Sequence, residues 1–183
     1  DILGGDLTQS TGNARDLINS VLSSLNSIVA NSWNGYYNAL YQVNNVISIV
    51  EDLPESDLRN LIIGEAHYFR AYIYHSLVTR WGGVPIQRVN TMDKPFRDSE
   101  EAVWAFIEEE LETALAFLGT SSSCYYVSRD AALALKARVM LERGKKTEAA
   151  ALAEGLIKDG KYKLDSFDKI FRCLLYTSPS PRD

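Results

Sequence analysis

The sequence predicts an all-α fold of stacked antiparallel helix pairs, and three observations predict it. Apolar side chains recur at helical spacing along the chain, as in Ile63, Ala66, Ile73 and Leu77. Strong punctuation separates the periodic stretches, at Asp52-Leu53-Pro54, Gly82-Gly83 and Gly144. No strand pattern is strong enough to compete. The 183 residues are 46% hydrophobic and 23% charged, enough apolar material for the core of one globular domain.

A weak amphipathic pattern through Leu17, Val21, Leu25 and Ile28 predicts a first helix near Asn13 to Ala30. A second is expected from about Trp33 to Val50, with Trp33, Tyr37, Leu40, Val43, Asn44 and Ile47 on one side. Pro54 ends it, because the residue before a proline avoids helical backbone. A third helix, Ile63 to Arg80, stops at Gly82-Gly83, where glycine can take the left-handed cap. Residues 84–96 read as an extended loop holding Pro85 and Pro95. Asp98 is expected to cap the next helix, with Glu101 completing a capping box. That helix buries Val103, Phe106, Ile107, Leu111, Ala114, Leu115 and Leu118, while Glu108, Glu109, Glu110 and Glu112 read as a mainly solvated face.

After a polar loop at Gly119 to Ser123, Ser128 is placed to cap a helix ending near Glu142. Its Ala131, Ala132, Ala134 and Ala137 let another backbone approach closely. Gly144 makes the turn, and the partner helix, Thr147 to Lys158, directs Ala149, Ala153, Leu156 and Ile157 inward before Gly160 closes it. This hairpin resembles a tetratricopeptide-type repeat, which makes a superhelical stack the economical architecture.

The net charge of −5 and scattered lysines and arginines argue against nucleic acid as a partner. No apolar run is long enough to span a bilayer. Cys124 and Cys173 form neither a disulfide framework nor a metal motif. Residues 172–183, RCLLYTSPSPRD, lose all periodicity and read as a non-native or disordered tail, leaving 1–171 as the helical region.

No constellation supports catalysis, and no cofactor is expected. His67 and His75 are the only imidazoles, and their separation of eight positions rotates them apart on one helix without an acidic residue to complete a metal site. No phosphate-binding or dinucleotide fingerprint is present. Arg70 projects from the apolar face of its helix, so it needs a carboxylate or several carbonyl oxygens from elsewhere. The aromatic residues admit two readings. Trp33, Tyr36, Tyr37 and Tyr41, or Tyr125 and Tyr126, either fill space between helices or offer rings on which a sugar stacks. Trp33 and Asn34 open a helix after a loop, pair a ring with an amide, and are the expected ligand contacts.

The run G-E-A-x-Y-F-R-A-Y at 64–72, followed by R-W-G-G-V-P-I at 80–86, resembles the signature of SusD/RagB-type proteins. Upstream, Trp33, Tyr37, Leu40 and Asn44 match that family's W-x3-Y-x2-I-x3-N helix, with leucine for the usual isoleucine. Downstream, VSRDAALALKARVMLERGK at 127–145 and DGKYKL at 159–164 resemble its repeat hairpin and exit. The resemblance covers about Asn13 to Phe171 and assigns Asn44, Glu65, Arg70, Trp81, Gly82 and Pro85 to the structural family motif.

The resemblance implies a SusD-like, non-catalytic surface lipoprotein of the Bacteroidota outer membrane. Such proteins capture glycans or other nutrients for a SusC-like TonB-dependent transporter. Contact with the membrane would run only through a lipid anchor, whose cysteine is absent here, and Cys124 does not replace it. The chain is therefore expected to be an N-terminal-half fragment, incomplete at both ends, with ligand loops from the other half missing. The competing class is a tetratricopeptide-type interaction module whose groove binds a peptide or partner helix.

Overall fold

A computed structural model describes residues 26–119 and 125–164, together with positions 16, 18, 19 and 23. Among the described residues no strand occurs, positions 16 and 18 are helical, and five helices are delimited: α1 (Ser27–Glu51), α2 (Asp57–Trp81), α3 (Glu100–Phe117), α4 (Arg129–Glu142) and α5 (Lys146–Lys158). α2 packs between α1 and α3, α4 lies against α3, and α5 pairs with α4. The all-α stack of helix pairs is as the sequence predicts.

Helix starts differ from the sequence reading for local reasons. Asn26 accepts the Ile28 N–H at 3.0 Å and starts α1 at Ser27, so residues 27–30 belong to this helix and not to a preceding one. The remainder of the expected first helix lies largely outside the described residues, as do Cys124, Cys173 and the 172–183 segment. α2 starts at Asp57, earlier than its apolar stripe suggests, because Ser56 accepts the Arg59 N–H at 3.2 Å. Arg59 then donates back to the Val50 and Glu51 carbonyls and closes the end of α1. Asp98 is not the cap of α3. Ser99 accepts the Ala102 N–H at 3.2 Å, which frees Asp98 for another role. Ser128 caps α4 as expected.

The core runs through Leu40 of α1, Tyr74 and Leu77 of α2, Ile107 and Leu111 of α3, and Met140 of α4. A second cluster joins Ala114, Leu115 and Leu118 to Ala132. All seven apolar residues expected on the α3 stripe are buried. Ile157 is the exception in α5: it is 75% exposed, because α5 packs on α4 alone among the described helices.

Candidate functional site

Twelve residues of α2 are buried, and they include Arg70 and both histidines. Arg70 sends Nε to Glu110 Oε2 at 2.7 Å and Nη2 to Glu110 Oε1 at 2.8 Å, a bidentate pair from α2 to α3. Its Nη1 donates to Asn44 Oδ1 on α1 at 3.1 Å and to the Arg88 carbonyl at 3.0 Å. His67 Nδ1 lies 2.7 Å from the same Glu110. Three helices and a connecting segment therefore meet at one guanidinium. Glu110 is 2% exposed, which corrects the reading of the acidic run as a mainly solvated face. Glu109 and Glu112 do face solvent, bonded to Arg88 and Lys136. Burial alone would raise the Glu108 carboxyl, but Lys145 and Arg143 hold it below the usual carboxylate range, tying α3 to the α4–α5 turn.

The segment 82–99 is a strap with no regular structure, and helix side chains pin it at Pro85, Gln87, Arg88 and Asn90. Its turn out of α2 uses Gly82 at φ 68°, a left-handed conformation natural to glycine. The Pro85 carbonyl accepts from Tyr37 Oη at 3.0 Å and Tyr74 Oη at 3.3 Å. The Tyr74 oxygen in turn accepts the Gln87 N–H at 2.6 Å. Burial pushes the Tyr74 phenol up to about 12 and raises Tyr37 further, so both stay protonated and able to donate. Asn44 Nδ2 donates to the Gln87 carbonyl at 3.0 Å. Asp98, released from capping, accepts the Ile86 N–H at 2.7 Å. Tyr74→Phe is expected to cost about 1–3 kcal/mol by stranding the Gln87 N–H. Urea melts and faster amide exchange at Gln87 would register it; an unchanged melt and exchange rate would contradict it.

Strap and helix ends enclose an open cleft of about 410 Å³, lined by Trp33, Trp81, Gly83, Pro85, Pro95 and Arg97. Trp33 sits 5.4 Å from Trp81, ring centre to centre, at 83°, and 4.8 Å from Tyr37. The structure thus brings the expected contact Trp33 together with Trp81 and Pro85 of the expected motif, while Asn34 is exposed and outside the lining. Gly82 sits beside the cleft, and Asn44 and Arg70 lie beneath the strap in the polar core. Glu65 stands apart, accepting the Val127 N–H at 2.7 Å and holding the start of the α4 approach. Tyr125 and Tyr126 lie on the surface, 89% and 51% exposed. The sequence reading missed Arg97, whose place depends on the strap folding back over the end of α2.

Both histidines are bonded to glutamates. His67 is held by Glu110, and His75 Nε2 lies 2.7 Å from Glu142. No cluster of metal-ligating side chains occurs among the described residues. What the geometry offers is concave aromatic surface beside fixed polar groups, the chemistry of reversible binding.

Fold and cleft together define an all-helical scaffold whose strap and helix ends form an aromatic cleft. The chain belongs to the SusD-like family, whose model, described as starch-binding and associating with the outer membrane, matches residues 5–141. A SusD-like protein of Formosa agariphila is 30% identical over 87% of this chain and 32% of its own length. A structure solved with a xylogluco-oligosaccharide is 26% identical with a TM-score of 0.78, over 85% of this chain and 35% of that one. A SusD-superfamily protein of Bacteroides vulgatus, 21% identical over 87% of this chain and 36% of that one, superimposes with a TM-score of 0.80 and so shares the fold. The chain spans about a third of the length of the curated relative from Formosa.

Proposed function

We propose that this chain is the helical part of a non-catalytic glycan-capture protein that delivers its ligand to a SusC-like TonB-dependent transporter. The observation that carries the reading is the family match across residues 5–141. The oligosaccharide in the 26%-identical relative supports sugar as the ligand class. No described helix is long and apolar enough to cross a membrane. The family model's association with the outer membrane supports a place at the cell surface, held in this reading by a lipid anchor. The transporter stands as the proposed partner. Co-purification of the full-length protein with the transporter encoded beside it supports delivery, and separate elution in mild detergent counts against it.

Trp33 is the proposed stacking contact, since it lines the cleft and is only partly buried. Trp33→Ala is expected to weaken oligosaccharide binding about tenfold or more, an aromatic contact being worth about 0.5–1.5 kcal/mol beyond the area it buries. Asn34→Ala, from outside the cleft lining, is expected to do much less. Calorimetric titration of the folded variants checks both, and undiminished affinity in Trp33→Ala would remove the cleft from the account.

A further inference from the structure

We infer that the Trp33–Trp81 cleft selects a hexuronate, a sugar carrying a ring carboxylate, over its neutral counterpart. The inference rests on the glycan-capture reading and adds the ligand's charge. Arg97 is the only charged residue of the lining among the described residues. Its Nε donates to the Gly83 carbonyl at 2.7 Å and its Nη2 to the Trp81 carbonyl at 3.1 Å, which fix the guanidinium against the strap. Nη1 has no acceptor, and no carboxylate lies within ion-pairing distance of Arg97, among the described residues. Asp98 accepts the Ile86 N–H, and Glu100 gives Oε1 to the Trp104 indole at 3.3 Å, while its Oε2 borders Gly82 as Arg97 Nη2 does, beyond ion-pairing distance. Arg59 and Arg129 are likewise held by backbone carbonyls, but neither lines the cleft. Arg70, Arg88 and Arg143 each meet a glutamate.

A guanidinium held in one orientation presents its free edge as a planar fork, and a carboxylate is the planar anion that fits it. Two indoles at 83° beside it give the pyranose ring apolar surface to pack on. Ring and carboxylate are both needed, because a lone anion would gain only a solvent-screened contact with an exposed arginine. The cleft volume of about 410 Å³ suits a short saccharide segment.

The test uses β-1,4-linked tetra-glucuronate and cellotetraose, the same backbone with and without carboxylates, titrated against the chain by calorimetry. Tetra-glucuronate is expected to bind about twofold to fivefold more tightly, the gain of a solvent-exposed ion pair. Raising salt should narrow the gap while leaving cellotetraose unmoved. Arg97→Gln should erase the preference and Arg97→Lys should retain part of it, with thermal melts confirming that both variants fold. Should Arg97→Gln unfold, the salt dependence of the unmodified chain decides. Equal affinity for both probes, or a preference that survives Arg97→Gln, overturns the hexuronate inference and leaves glycan capture standing. Binding of neither probe, with other neutral oligosaccharides also silent, overturns both.

Discussion

Arg70→Leu is expected to lower the unfolding free energy by about 3–5 kcal/mol, the usual cost of stranding one member of a buried ion pair. Glu110 is 2% exposed and would keep only His67 as a partner for its charge. Asn44 Oδ1 and the Arg88 carbonyl would also lose a donor. Against a typical total of about 5–15 kcal/mol, that loss is enough to leave much of the chain unfolded at body temperature. Urea denaturation measures it directly. Whatever fraction folds should keep its ligand preference, because Arg70 lies in the core and not in the cleft lining. Normal stability with altered selectivity would show that the arginine serves the ligand and not the scaffold.

Gly83→Ala is the second large effect. A Cβ at this position would meet the Asp98 carbonyl oxygen at 2.2 Å and the Glu100 nitrogen at 3.0 Å, both backbone atoms that cannot swing aside. The strap must shift, and it carries the Asp98 N–H bond to the Val84 carbonyl and the Ile86 N–H bond to Asp98. The expected cost is at or above the upper end of about 1–3 kcal/mol for overpacking. Because Gly83, Pro85 and Arg97 line the cleft, saccharide affinity should fall with stability. Gly155→Ala is the control: nothing lies within 4 Å of its Cβ, and a helical alanine stabilises by about 0.5–1 kcal/mol. If Gly83→Ala melts like Gly155→Ala, the close approach of strap and helix end is wrong.

Much of this fold was legible because helix faces are local. The α3 stripe and the α4 cap and turn follow from spacing and end signals alone. Helix starts were less legible: Asn26 and Ser56 cap ahead of the apolar pattern, and Asp98 and Ser99 compete for one role that only contact with Ile86 decides. Arg70 announced its need for a carboxylate, but four glutamates in one run were chemically equal candidates. The register held the clue. Glu110 stands three after Ile107 and four before Ala114, on the buried stripe, whereas Glu109 and Glu112 turn outward.

The cleft was half legible. Trp33 stands inside α1, which starts at Ser27, so the expectation that Trp33 and Asn34 open a helix fails, whereas the Trp81-Gly82-Gly83 exit is a local signal. Their meeting is not. It requires the strap to return across the end of α2, a path set by Tyr37, Asn44 and Tyr74 from separate helices. Arg97 becomes meaningful only once that path is known, since its anchors are carbonyls rather than side chains. The polar core therefore fixes the strap, and the strap shapes the cleft proposed to meet the ligand.

The most direct measurement is a crystal structure of the chain grown with a saturating oligosaccharide. The account predicts sugar density packed against Trp33 between the start of α1 and the strap, with the Arg70–Glu110 pair unchanged beneath it. Sugar density confined to another surface, such as Tyr125 and Tyr126, with the Trp33–Trp81 cleft empty, would contradict it.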